Sequence, residues 1–501
     1  VRKRFRIFAK AMKKVSLSSS GNLLSLFAVL CALLLFSQCR KEKFVTDSSA
    51  VVEFSNDSIL FDTVFTTVGS TTQILKVYNR NSDRISISRI ELEGGNLSPY
   101  RINVDGVSGH VHTDVEIAGD DSLYIFVEVT LDPNNTNLPF VVEDRLLFQT
   151  NGNNQQVMLT AWGQDAYFHV NLDITNLQPL EANAIWNSDK PHVVYGITVV
   201  DSCNTLTITQ GTQVHIHSGS GIWVRKGTIT VQGELGNEVV FQGDRLEPFY
   251  QSQPGQWGID VVGFRLGGLW LTESKGSSIN YAELKNGIIG IQVDSVFQQG
   301  TPALTITNTI IQNMSAIGLY ANSGADIEGH NNLIANCGQS CAAFLNGGSY
   351  RLDFCSFVNY WTFGSRQAAT FAMSNWYEDV NGNIQVRPIT NTLFRNCIMY
   401  GNNAPLNDFN EFAIDLIDEE FQDYTFRNCL VDNNDILFDP PRYFDMRVVV
   451  NNEQLFVSPF SADFHLRSTA SVIDRGIGTG ISTDLDGVFR AIPDIGCYEF
   501  Q

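Results

Sequence analysis

The sequence predicts an all-β protein in two parts, an antiparallel sandwich of short strands followed by a parallel β-solenoid, and three observations carry that prediction. Asn313, Asn336 and Asn359 recur at intervals of 23 residues, each after a short apolar run. That interval is about one coil of a parallel β-helix, whose stacked coils place like residues at like corners, where side-chain amides can bond up the stack. The run Leu123-Tyr124-Ile125-Phe126-Val127-Glu128-Val129 alternates with a period of two, as a strand buried on one face does. Glycines such as Gly211 and Gly227 separate the strand-like runs 205–208, 213–216 and 228–231, which suits the corners of a coil.

At 501 residues the chain exceeds a single compact core, although a solenoid lengthens without enlarging its core. Residues 1–38 read as an export signal, with a basic start to Lys14, an apolar stretch Leu23 to Phe36 and then Ser37-Gln38-Cys39. The apolar stretch is short for a bilayer span. Residues 39–50 form a polar tether, 51–166 the sandwich, 167–185 a linker and 186–501 the solenoid. In the sandwich, turn signals at Gly94-Gly95, Asp105-Gly106 and Asn151-Gly152 break the strands at short intervals. The formal charge is −20, and removing the seven basic residues up to Lys14 leaves roughly −27, which argues against nucleic acid as a partner.

Nine cysteines are present, and seven remain when Cys31 and Cys39 are set aside. An odd number leaves at least one thiol unpaired within the chain. Cys337, Cys397 and Cys429 each follow an Asn, which predicts one recurring coil position filled by small side chains facing the core.

The segment ending at Cys39 resembles a bacterial lipoprotein signal of the looser kind found in the Bacteroidetes, with Phe36 and Gln38 departing from its usual residues. That resemblance implies lipidation at Cys39 and an outer-membrane lipoprotein facing either the periplasm or the medium, held to the membrane by its lipid. The runs 75–79 and 159–163 resemble Ig-like modules. The strands from Trp186 onward, the 23-residue repeat and the ending Asp463-Phe464-His465-Leu466, Ile473-Asp474-Arg475-Gly476, Asp484-Leu485-Asp486-Gly487 and Pro493 to Glu499 resemble right-handed parallel β-helix proteins of the pectate-lyase-like superfamily. This resemblance implies the hand of the solenoid. A fold of this kind hosts lyases, hydrolases, adhesins and inert spikes alike.

Candidate sites follow from residue chemistry. The repeat is interrupted after Tyr360, and the interruption holds Trp361, Trp376, Tyr377, Glu378 and Asp379. Aromatic faces beside carboxylates are what a sugar-binding platform needs, so these five are the candidate ligand-binding residues. A second interruption, 408–423, carries Glu411, Asp415, Asp418, Glu419, Glu420 and Asp423 and reads as a solvated acidic loop compatible with calcium. His215 and His217 alternate along a strand toward one face, as a metal pair would, but lack an evident third ligand. No cofactor is evident. The Asn-Thr-Asp, Asp-Asp, Gly-His-Gly and Arg-Ile-Lys set of polygalacturonase-like enzymes is absent in that order, and no catalytic residue is assigned. The expectation is a lipid-anchored protein that binds a polysaccharide or cell-surface glycan or serves adhesion. The alternatives are a polysaccharide lyase or glycoside hydrolase acting in the groove, with Glu378 and Asp379 in acidic roles, and a non-catalytic structural surface protein.

Overall fold

A computed structural model describes residues 43–66, 69–132, 140–261, 264–274, 276–294, 300–402, 410–433, 441–449 and 453–501. The export signal and Cys39 lie outside the described residues. Contacts group the chain up to residue 59 with 71–128 and 143–159 in one compact unit, and 60–70, 129–142 and 160–501 in a second.

The N-terminal part is built from two five-stranded sheets. One sheet takes Gln73–Tyr78 and Ser122–Val129, paired antiparallel, and the period of two predicted for the latter is realised as Leu123, Ile125, Val127 and Val129 buried with the intervening residues outward. The other sheet takes Ile85–Leu92 and Phe140–Thr150, also antiparallel, and buries Ile85, Ile87, Leu146 and Phe148. Phe54 of the first sheet packs on Phe148 of the second with ring centroids 4.6 Å apart. The turn signals act as read: Asp105-Gly106 and Asn151-Gly152 all take positive φ, the geometry of a two-residue hairpin turn.

The second part is a parallel β-helix. In each coil the chain passes through three sheets, which are represented by Thr205–Thr209, Gln213–Ile216 and Gly221–Arg225 before Thr228–Gln232 returns to the first sheet. The solenoid begins earlier than Trp186: Tyr167–Asn171, within the stretch read as a linker, pairs parallel with His192–Val200. Inward side chains in the early coils are mostly aliphatic, with Trp186, Phe241 and Trp257 among them. In the late coils they become a phenylalanine stack, with Phe394 on Phe426 at 4.9 Å and Phe371 on Phe412 at 5.5 Å.

The corners explain the asparagines. Between the first and second sheets, Asn308, Asn331, Asn396 and Asn428 all have φ between 48° and 54°, a left-handed conformation that Asn tolerates better than most residues. The next residue then points inward: Thr309, Asn332, Cys397 and Cys429 are buried there, as is Cys355 after Phe354, which takes the same conformation. Amides bond between coils at this corner, Asn331 Nδ2 to Asn308 Oδ1 at 3.0 Å and Asn308 Nδ2 to Asn280 Oδ1 at 2.9 Å.

The 23-residue series lies at the other corner, between the second and third sheets, where Asn286, Asn313 and Asn336 take positive φ and Asn313 Nδ2 donates to Asn286 Oδ1 at 2.6 Å. Asn359 occupies the matching register but is fully buried, and it clamps the backbone of Cys337 by accepting from its N–H and donating to its carbonyl. Cys337 therefore does not share the corner of Cys397 and Cys429. Replacing Asn336 by Ala is expected to lower stability by about 1–2 kcal/mol, since it forces a β-carbon into the left-handed region and removes the acceptor of the Tyr360 N–H, while Gly should lose less. Urea unfolding of the two variants measures this, and an Ala variant as stable as the wild type would refute it.

The C-terminal segment folds back over the outer face of the second sheet. Leu333, Val358, Ile398 and Leu430 of that sheet form one cluster with Leu455, Phe464, Val472, Ile495 and Cys497. Arg490 is the pin, buried and ion-paired with Glu499 while donating to Asn331 Oδ1 at 3.1 Å. The first sheet is solvated outside, with Thr205, Thr207, Thr228 and Thr230 followed by the ion pairs Glu328–Arg351 and Asp353–Arg395.

Candidate functional site

Strand register writes the outer face of the third sheet. Trp223 pairs with Trp270, Trp270 with Gln292, Gln292 with Tyr320, Tyr320 with Ala343 and Ala343 with Ala372. Two residues on, Thr272 pairs with Asp294 and Asp294 with Asn322. Because successive residues of a strand point to opposite faces, these two rows share the outer surface.

The two indoles stack with centroids 4.8 Å apart and planes 13° from parallel. They are half-buried and packed against Ile197, Val199 and Ile259, which fixes their orientation. Trp223 Nε1 donates to Thr272 Oγ1 at 2.8 Å. The guanidinium of Arg225, paired with Asp201, lies 5.3 Å from the Trp223 ring centroid. The result is an apolar strip along the helix axis with a cation at one end.

At the other end stands a carboxyl group. Asp294 Oδ2 accepts from Trp270 Nε1 at 2.7 Å and from Gln292 Nε2 at 2.8 Å, and Gln292 is itself held by the amide of Gly267. Asp294 Oδ1 is buried with no direct hydrogen-bond partner among the described residues. Desolvation raises the pKa of Asp294 above the usual carboxylate value, opposed by hydrogen bonds from Trp270, Gln292 and Asn322. The neighbouring Tyr320 is raised by burial and then by the charge of Asp294. Small side chains, Ala343 and Ala372, continue the floor beyond Tyr320. Aromatic surface beside fixed amide and carboxyl groups suits a sugar, which offers C–H faces and hydroxyls together.

The residues singled out in the sequence are dispersed. Trp361 follows a strand of the second sheet, packs on Phe363 at 5.3 Å and helps line a cleft of about 350 Å³ with Asn286, Gln312 and Asn313. Trp376, Tyr377 and Glu378 form one strand of a hairpin pairing with Ile384–Val386, one corner further along the coil. Arg387 sits 5.3 Å from the Tyr377 ring centroid. Asp379 holds the hairpin turn, accepting from the amides of Asn381 and Asn383 at 2.9 and 3.0 Å, and these bonds lower its pKa. Glu378 is exposed.

The acidic stretch divides too. Glu411 is buried against Arg366 and Thr370, which corrects its reading as part of a solvated loop. The two histidines have separate partners. His215 is buried on the carbonyl of Gly243, and desolvation lowers its pKa to about 4. His217 bonds to Asp244 at 2.7 Å and is raised by it. Among the described residues no group of three or more His, Cys, Asp or Glu is arranged to hold a metal ion.

Sequence reading missed Trp223, Trp270 and Asp294 because each stands alone in its own stretch. The one available signal was the alternation Gly221 to Arg225 and Leu269 to Thr272, which places both tryptophans at outward positions.

The family described as "Right handed beta helix region" matches residues 267–439, and the solenoid is right-handed. No curated protein matches the chain in sequence. Among solved structures, the chain is similar to the catalytic unit of a thermostable GH87 α-1,3-glucanase from Streptomyces thermodiastaticus strain HF3-3, with 10% identity and a TM-score of 0.30 over 72% of this chain and 78% of that one. Dex49A from Penicillium minioluteum is similar at 8% identity and a TM-score of 0.21, over 77% and 82% of the two chains. The ASH / PapD-like domain of human CEP192 is similar at 12% identity and a TM-score of 0.17, over 24% of this chain and 89% of that one.

Proposed function

We propose that this is an exported, carbohydrate-active β-helix protein, anchored through a lipid on Cys39, that seats a polysaccharide along the outer face of its third sheet. The observation that carries the reading is the stacked, half-buried Trp223–Trp270 strip running into Asp294, Gln292 and Tyr320 on one outer sheet face. The strip covers sugar C–H groups, with the Asp294 carboxyl and the Tyr320 hydroxyl beside it. Along the coils the row goes on through Ala343, which is buried, and Ala372, which is half-buried. Such a face reads an extended polymer, because the coils repeat along its length.

A second reading, cleavage of the bound chain, is favoured by Asp294. Its buried Oδ1 has no direct partner among the described residues and its carboxyl holds a proton more readily than usual, as a general acid for glycosidic bond cleavage must. The test is one panel of neutral and uronate polysaccharides, α-1,3-glucan and dextran included, scored for retention in affinity gels and for new reducing or unsaturated ends. Retention with products that vanish in Asp294→Asn supports cleavage, retention without products supports binding, and retention of none of them refutes the carbohydrate reading.

A further inference from the structure

Where the C-terminal segment crosses the last coils it leaves a cleft of about 710 Å³, within the size range of small-ligand sites. One wall comes from successive coils of the second sheet. Tyr400 follows Val358 in register, and the amide of Asp432 donates to the carbonyl of Met399 at 3.1 Å, which sets Asp432 one coil beyond Tyr400. Tyr360 flanks Tyr400 with ring centroids 5.9 Å apart. The opposite wall is the folded-back segment with Glu453, Phe460 and Arg467.

Both walls are fixed. Arg467 donates to the carbonyls of Phe456 and Val457 and to Gln454 Oε1 at 2.7, 3.1 and 2.8 Å. Glu453 accepts from the amide and hydroxyl of Ser471 at 2.7 and 2.9 Å. Asp432 differs from all of these, since its half-buried carboxyl has no hydrogen-bond partner among the described residues. Leaving a partly desolvated carboxyl unpaired is unfavourable. Burial, then the nearby Glu411, push its pKa up to about 6.

The surroundings select the partner. Asp432 and Glu453 outnumber the one cation of the lining, Arg467, and disfavour a uronate or a phosphate, while calcium needs six or more oxygen ligands and finds one unpaired carboxyl here. Two tyrosines, each 8% exposed, beside a single unpaired carboxyl fit a neutral, hydroxyl-bearing ring. We propose that this cleft is a second saccharide site, distinct from the third-sheet strip, which takes a neutral oligosaccharide end with Tyr360 and Tyr400 against its rings and Asp432 on adjacent hydroxyls.

The test is calorimetric titration of the purified protein with cellotriose, maltotriose and nigerotriose. At least one is expected to bind, with Tyr400→Ala and Asp432→Asn each weakening it by at least about tenfold. Folding of Asp432→Asn is checked by its melting point. The folded protein keeps the Asp432 proton to a higher pH than the unfolded chain, so ionisation weakens the fold as pH rises through that window. The amide removes that penalty, and at about pH 7.5 the variant should melt a few degrees above wild type. No binding by any of the three sugars overturns the proposal. Binding that is lost in Trp270→Ala and kept in Asp432→Asn also overturns it, while leaving the strip as a carbohydrate site.

Discussion

Replacing Glu411 by Ala is expected to destabilise the protein by about 3–5 kcal/mol, because it removes the carboxylate from a buried ion pair. Arg366 and Glu411 have side chains only 3% and 2% exposed, and their two-pronged pair is completed by Thr370, whose amide and hydroxyl both donate to Glu411 Oε2 at 3.0 and 2.6 Å. Glu411 also fills the space over Gly401, where a β-carbon would meet its carboxyl at 2.2 Å. One substitution therefore takes the carboxylate away from a buried cation and from two donors and opens a void. Guanidinium unfolding of Glu411→Ala, Arg366→Met and the double variant measures this. The double variant should be less destabilised than the sum of the single variants, since an apolar replacement of both charges strands neither. A Glu411→Ala variant within about 1 kcal/mol of wild type would show that the pair contributes little.

Trp270→Ala is expected to weaken retention of a polysaccharide by at least about tenfold, the largest effect of any change on the third sheet. The indole presents apolar area to the ligand, stacks on Trp223 and donates to Asp294 Oδ2, so its loss also leaves Asp294 less satisfied. A side effect on stability of about 1–3 kcal/mol follows, less than for a fully buried tryptophan. Trp270→Phe separates the two roles, since a phenyl ring keeps the apolar contact and lacks the N–H. It should keep most of the retention while lowering stability slightly, and Asp294→Asn should spare the strip itself. Full retention in Trp270→Ala, on a polysaccharide that wild type binds, would move the binding face elsewhere.

The residues of the third-sheet face and of the buried pair were not legible in the sequence, and the reason is the same for both. Arg366 and Glu411 are 45 residues apart, one in an aromatic interruption and the other in an acidic one, and no local pattern links them. Trp223 and Trp270 become neighbours only because the chain between them returns to the third sheet after an enlarged coil. Asp379 looked free to meet a ligand beside Trp376 and Tyr377, yet a hairpin turn two residues on takes its oxygens. Carboxylate near aromatics in sequence is not carboxylate near aromatics in space when the backbone between them turns.

What the sequence determined alone is local and repetitive. Asp105-Gly106 and Asn151-Gly152 dictate tight hairpins because both residues of each pair tolerate positive φ. Asn396-Cys397 and Asn428-Cys429 dictate a left-handed corner followed by an inward side chain, and alternating apolar residues dictate which face of each strand is buried. The tertiary structure decided which coil lies beside which, which outer faces the C-terminal segment covers, and hence that Trp223, Trp270 and Asp294 share one outer face. Conformational preference acts over one or two residues and is written in each of them. Register between coils depends on the lengths of the loops and on burial shared across the whole core, so it exists only once the chain has folded.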